Sequence, residues 1–229
     1  MSSIVVYSPI CAEAAGQAAN TTLIDALSRA LYARDRQTHE HAERVRQYAL
    51  ELSAEVGVRD DATLAAIRSA AILHDVGKLG IPDSVLQKPG PLTDEEYDLV
   101  KQHATIGADL VAAAGGPGLL PDTVRHHHEN WDGSGYPDRL AGLDIPIGAR
   151  VIAIVDCYDA LTSDRPYRGA LSHNSALAMI RQHRGVMYDP QMTDAFMRVL
   201  WRMRAMTTSG RCSEDRSAGK FQTGDRGGR

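Results

Sequence analysis

The sequence predicts an all-α fold, a helical bundle around one core. Three observations predict it. From Thr22 to about residue 205, apolar residues recur at helical spacing. Strand-type alternation is nearly absent, and the run Ile4-Val5-Val6-Tyr7 is a short strand or simply a tail. Gly, Pro and capping residues divide the chain into helix-length segments. No internal repeat is visible.

Residues 1–21 are small and weakly patterned and read as an N-terminal extension. From Thr22 onward Leu23, Leu27 and Leu31 mark a first helix. The next, about 39–57, sets His41, Val45, Tyr48, Ala49, Leu52 and Val56 on one face, and Gly57 stops it. Asp60 or Asp61 caps a third helix carrying Leu64, Ile67, Ala71, His74 and Asp75, broken by Gly77, Gly80 and Pro82. Residues 87–91 form a loop. Thr93-Asp94-Glu95-Glu96 is a capping box, so a helix starts there and runs past His103 to about Ala113, where Gly115, Gly116, Pro117 and Gly118 end it. A helix over about 120–129 follows, then a long functional loop over 131–148. Further helices are expected at about 149–162, 173–184 and 190–205. From Thr207 the composition falls to Gly, Ser, Thr, Arg and Asp, so the domain is set at 22–206 and 207–229 read as a disordered tail.

A length of 229 residues suits one domain with short extensions. The net charge of −4 lacks the basic surplus of a general nucleic-acid binder, so any phosphate site must be built locally. Cys11, Cys157 and Cys212 are far apart and form no CxxC pair; reduced thiols in a cytoplasmic protein are expected. No apolar run approaches the ~20 residues a membrane span needs. A signal peptide is not expected, since no basic stretch leads into an apolar one.

The histidines matter by placement. His41 shares a face with Val45 and Leu52. His74-Asp75 ends an apolar helix, and His103 is in register with Leu99, Ile106 and Leu110. His127 and His128 share a helical face with Val124 and Trp131, and Asp156 follows the apolar run 151–155. A lone inward histidine is usually a satisfied core residue. Five inward histidines and two inward aspartates are hard to satisfy without metal, because a buried carboxylate needs a compensating cation. The donor set suits Fe, Mn, Zn or Co rather than Mg alone. Paired metals match a reaction: they hold a phosphoryl oxygen, acidify a water and stabilise the leaving oxygen. One carboxylate usually bridges them, and Asp75 is the natural candidate. Cys157 reads as core. His39, His126, His173 and His183 carry no expected role beyond exposure or capping.

The segment 71–78, containing His74-Asp75, resembles the HD signature of metal phosphohydrolases. Residues 127–137, His127-His128-Glu129 through Gly135-Tyr136-Pro137, resemble the HHExxDGxGYP signature of the HD-GYP family. The block 156–167, from Asp156 to Tyr167, is similar to that family's third motif, and Ile81-Pro82-Asp83 and Lys88-Pro89-Gly90 match too. The resemblance covers about residues 30–200 and implies an HD-domain helical bundle. It implies two divalent metal ions, Fe or Mn. His41, His74, Asp75 and Asp156 would hold one; Asp75, His103, His127 and His128 would hold the other. Asp75 and Lys78 would be the catalytic residues, with Lys78 and Arg165 contacting substrate phosphate. The loop with Gly133, Gly135, Tyr136 and Pro137 would dock partner proteins carrying a GGDEF domain, and Asp132 assists the site or forms a turn. The implied activity is hydrolysis of cyclic di-GMP to linear pGpG, with a further step to GMP left open. Cyclic GMP-AMP is the variant substrate, a sensor or adaptor of low turnover the alternative, and a general nucleotide phosphohydrolase a third reading that the GYP block disfavours. One departure stands out. Gln37 occupies the place where members with a third metal have Glu, so two metals are expected rather than three.

Overall fold

The structure, a computed structural model, describes residues 25–33, 39–164 and 168–214. The expectations for residues 1–21, for Gln37 and for Arg165 lie outside the described residues. The described chain is helical throughout its regular structure, with no β-strand among those residues. The helices are α1 (described over 25–33), α2 (His39–Glu55), α3 (Asp61–Leu73), α4 (Asp83–Leu86), α5 (Asp94–Lys101), α6 (His103–Ala113), α7 (Leu120–Arg125), α8 (Ile147–Thr162), α9 (His173–Gln182) and α10 (Pro190–Glu214). Short 3-10 turns span Val76–Gly80 and Gly142–Asp144. No described helix is long and apolar enough to cross a membrane.

The caps fall where the sequence places them. Asp60 is the N-cap of α3 and accepts from the Thr63 amide at 2.8 Å. Thr93 opens α5 with a complete capping box, its hydroxyl accepting from the Glu96 amide while Glu96 accepts from the Thr93 amide. Gly57 ends the α2 segment at φ +80°, a left-handed value that glycine adopts without a Cβ clash. The core forms where α2 packs on α3, α8 and α10, and α3 on α7 and α8. Val45, Leu52, Ile67, Leu73, Ile152 and Phe196 are fully buried there, each worth roughly 1.5–3 kcal/mol against exposure. Tyr48 and Tyr158 set their edges at right angles to Phe196.

Four boundaries differ from the sequence expectation. The helix expected from Thr93 to Ala113 is two helices, α5 and α6, broken at Gln102, whose amide turns back to the Leu99 carbonyl at 3.1 Å. Neither Gly nor Pro marks this break, so local sequence carries no sign of it. The helix expected over 120–129 ends at Arg125, and His127 and His128 lie in the turn beyond it. Side chains account for that end: the His126 and His127 Nδ1 atoms sit at the Asp122 and Val124 carbonyls, at 2.9 and 2.6 Å, adding side-chain bonds to carbonyls of the last turn. His74 is the C-cap of α3 rather than part of it, and Asp75 starts a 3-10 turn. Finally, α10 continues in helical backbone to Glu214, past the boundary expected at Met206. Once a helix is nucleated, each added residue gains a backbone bond without needing an apolar face.

One close approach positions the site. The 3-10 turn at Val76–Gly80 packs directly on α6. A Cβ at Gly77 would lie 1.8 Å from the His103 carbonyl oxygen and 2.5 Å from the Gly107 amide nitrogen. Only a glycine lets these two backbones touch, and their contact sets Asp75 beside His103.

Candidate metal centre

Four imidazoles are oriented in the same way, through Nδ1. His103, the first residue of α6, has Nδ1 2.6 Å from the Val100 carbonyl that the helix break leaves accessible. His127 Nδ1 lies 2.6 Å from the Val124 carbonyl and His74 Nδ1 3.3 Å from that of Ala70. His41 Nδ1 lies 2.7 Å from Asp159 Oδ2. A carbonyl or carboxylate oxygen only accepts, so each Nδ1 donates. In the neutral ring Nε2 then carries a lone pair and no proton.

Those lone pairs converge. The Nε2 atoms of His103 and His127 face each other at 3.3 Å, an arrangement of two acceptors that needs a cation to satisfy it. The Nε2 atoms of His41 and His74 are buried with no hydrogen-bond partner, and lie 3.5 and 3.7 Å from Asp156 Oδ1. Two ligand-type groups result: His41, His74 and Asp156 in one, His103, His127 and His128 in the other, each with donor atoms within 4.8 Å of one another. Asp75 stands between them. Its Oδ2 is 3.6 Å from His74 Nε2 and its Oδ1 3.6 Å from His103 Nε2. All seven residues singled out in the sequence are therefore brought together. Buried, unpaired imidazole nitrogens beside carboxylates fit divalent transition-metal cations; nothing else in the described surroundings satisfies them.

The electrostatics have the same sense. Burial alone would raise Asp75, but Lys78, with Nζ 2.8 Å from Oδ2, and the nearby His74, His103 and His127 hold it well below the usual carboxylate range. In a 3-10 turn residues i and i+3 eclipse, which is why Lys78 meets Asp75. Burial, and then the neighbouring imidazoles, push His127 down; burial also lowers His103, and brings His128 to about 4. The rings stay neutral through ordinary pH and compete poorly for protons. An unfolded chain protonates them near ~6.5. Between that value and about 4 the unfolded state binds more protons, so stability falls as pH falls. The melting temperature of metal-free protein is expected to drop from pH ~6.5 toward ~4; a melting temperature independent of pH across that window would contradict the burial of these rings.

Sequence reasoning missed the residues behind the ligands. Asp159 is almost fully buried, holds His41, and accepts from Arg44 Nε and Nη2 at 2.5 and 3.0 Å. Burial would raise it, but the bonds from His41 and Arg44 lower it. The signal was present: Asp159 is three residues after Asp156 on α8, and Arg44 three after His41 on α2, each spacing that of one helix face. His126, expected to be exposed or capping, caps the Asp122 carbonyl and is also buried, with Nε2 2.9 Å from Asp138 Oδ2, which also accepts from Arg125. Glu129 accepts from the Asp138 amide at 2.7 Å. These bonds pin the long loop to α7. Asp132 is exposed and accepts from the Ser134 amide at 2.9 Å, the turn-forming role. Cys157 is half-buried against the core. His173 pairs with the Tyr158 hydroxyl and His183 caps the Met179 carbonyl.

The loop lines one wall of a cavity of about 1050 Å³ that opens over the centre. Asp75, Lys78, His103, His128 and Asp156 form its floor, with Tyr97, Lys101, Tyr136 and Arg139 among the residues around it. Tyr136 stacks on His128, ring centroids 4.9 Å apart, and precedes Pro137 through a cis peptide bond. A Cβ at Gly135 would strike the Asn130 amide at 2.2 Å, so glycine is what lets the loop fold back on Glu129 and Asn130. Burial raises the Tyr136 phenol, and after it the adjacent Tyr97.

The family model described as HD domain matches residues 25–192. The chain is 40% identical over 168 residues to a cyclic di-GMP phosphodiesterase of Thermotoga maritima, covering 72% of this chain and 45% of that protein. It is 38% identical over 199 residues to the cyclic di-GMP phosphodiesterase response regulator RpfG of Xanthomonas campestris pv. campestris, covering 86% and 50%. The chain thus spans about half the length of the curated relatives it matches. A solved cyclic GMP-AMP-specific phosphodiesterase of Vibrio cholerae superposes with a TM-score of 0.62 at 17% identity, covering 82% of this chain and 50% of that one. At that identity the likeness carries the fold alone.

Proposed function

The chain belongs to the HD domain family, with the HD-GYP signature in its sequence, and on that premise we propose that it is a metal-dependent phosphodiesterase acting on cyclic di-GMP. The observation that carries this reading is the pair of donor groups about one shared carboxylate, with buried Nε2 atoms lacking any protein partner. His41, His74, Asp75 and Asp156 would hold one ion, and Asp75, His103, His127 and His128 the second. When bound, the pair would hold the phosphoryl oxygens, acidify a water and stabilise the leaving 3′ oxygen.

The chain's own residues do the rest. Lys78 sits at the floor of the cavity, on Asp75, and brings a positive charge to the phosphate. Arg165 is assigned to the same phosphate by its motif. Asp159 fixes His41 with Nε2 toward the centre, and outer-shell carboxylates of this kind sustain metal affinity. Gly135 is buried, and Tyr136 and Pro137 half-buried against the site, so their part is to shape the cavity; docking of a GGDEF-domain protein would fall to the exposed Ser134, Asp132 and Arg139 of the same loop. The substrate assignment rests on relatives named for cyclic di-GMP, and cyclic GMP-AMP is the variant to compare.

The test is metal analysis joined to product analysis on protein purified without oxygen and loaded with Fe(II) or Mn(II). Two ions per chain and conversion of cyclic di-GMP to linear pGpG are expected. A fully loaded protein that leaves cyclic di-GMP intact would overturn the reading, and faster turnover of cyclic GMP-AMP would move the substrate within the class.

A further inference from the structure

A cyclic dinucleotide has two phosphodiesters and two purines, and the metal centre accounts for one phosphodiester. The remainder must be held by the cavity above it, whose volume of about 1050 Å³ is ample for a ligand larger than a mononucleotide. Purine faces are held best by aromatic rings. Tyr136 already covers His128 with its ring. Among the described residues Tyr97 remains: it borders the same cavity from α5, and it is 51% exposed.

A single exposed tyrosine is ordinary on a protein surface, and three observations set this one apart. It contributes nothing to the core, since α5 has no buried residue. It lines the same cavity as Tyr136, reaching it from a different element, α5. Lys101, one helical turn on, holds its ammonium 5.1 Å from the Tyr97 ring centroid while pairing with Asp98, so contacts within α5 fix the ring in place. An exposed ring held in this way offers a flat face of the kind on which a purine stacks.

Resting on the cyclic dinucleotide reading, we infer that Tyr97 is the stacking platform for one purine of the substrate, holding it at the cavity mouth while the scissile phosphodiester lies at Asp75. The role is in binding, away from the reacting atoms, so its loss appears in KM and spares kcat.

The experiment uses the metal-loaded protein and three readouts: KM and kcat for cyclic di-GMP, and the inhibition constant of inorganic phosphate, which has no base to stack. Tyr97→Ala is expected to raise KM roughly 5- to 150-fold, the span of one base–aromatic stack. Its kcat and its phosphate inhibition constant are expected to stay within about twofold, a change of a few tenths of a kcal/mol. Tyr97→Phe keeps the ring and is expected to behave as the unaltered protein. An unchanged KM in Tyr97→Ala overturns the platform and leaves the phosphodiesterase reading standing. So does a KM rise in Tyr97→Phe equal to that in Tyr97→Ala, which would assign the effect to the hydroxyl. A parallel loss of phosphate inhibition would show that the substitution disturbs the centre itself and would likewise overturn it. Absence of cyclic dinucleotide turnover in the unaltered protein, with metal bound, overturns the substrate reading and the platform together.

Discussion

Asp75→Ala is expected to abolish hydrolysis and to strip the protein of much of its bound metal. Among the described residues Asp75 is the one carboxylate that faces both donor groups, with one oxygen 3.6 Å from His74 Nε2 and the other 3.6 Å from His103 Nε2. Its carboxyl is held well below the usual range, so it is ionised whenever the protein is folded near neutral pH. Removing it takes a negative charge from the middle of a cluster of buried nitrogen donors and would leave the two proposed cations without a shared ligand. Paired metals supply several kcal/mol of transition-state stabilisation, and each ~1.4 kcal/mol is tenfold in rate, so a loss of several decades follows. Lys78→Ala is the contrast: it removes a charged hydrogen bond worth about 1.5–3 kcal/mol and no metal ligand. It should keep its metal and lose about ten- to a hundredfold in kcat/KM. Metal content by elemental analysis and product formation by chromatography separate the two. Near-normal turnover by Asp75→Ala would remove it from the centre.

Gly77→Ala should be among the most damaging single-methyl changes in the chain. The added carbon would meet the His103 carbonyl oxygen at 1.8 Å and the Gly107 amide nitrogen at 2.5 Å. Both obstacles are backbone, with no flexible end to swing aside, so the 3-10 turn must part from α6. Overpacking costs typically ~1–3 kcal/mol and occasionally more, and a rigid neighbour on both sides points to the upper end. For a chain of this size ~3 kcal/mol is roughly 6–12 °C in melting temperature. Metal affinity should fall with it, because the same seam holds Asp75 against His103. Gly80→Ala is the control, since its Cβ would meet only the Ile106 side chain, at 3.0 Å, and a side chain can shift. Equal melting temperatures for Gly77→Ala and the unaltered protein would refute the close packing.

What the sequence determined by itself is whatever rests on contacts a few residues apart. Helical periodicity buried Val45, Leu52 and Ile67, and the Asp60 and Thr93 caps began their helices where expected. The chemistry-bearing residues, His41, His74, Asp75, His103, His127, His128 and Asp156, were legible because polar groups on apolar faces stand out against the pattern. Only the tertiary structure decided how those residues point. The break at Gln102 and the early end of α7 have no Gly or Pro to announce them; each is sustained by an imidazole reaching a carbonyl of the last helical turn. The same bonds turn Nε2 inward, so the helix ends and the donor geometry are one event. The pairing of Asp159 with His41 and Arg44 joins α8 to α2 across more than a hundred residues of chain. The docking of Gly77 on α6 likewise depends on two backbones that meet only once the helices pack. Local patterns encode which face of a helix is buried. They do not encode which face of another element it meets, and a metal centre made from five separate segments is built from those meetings.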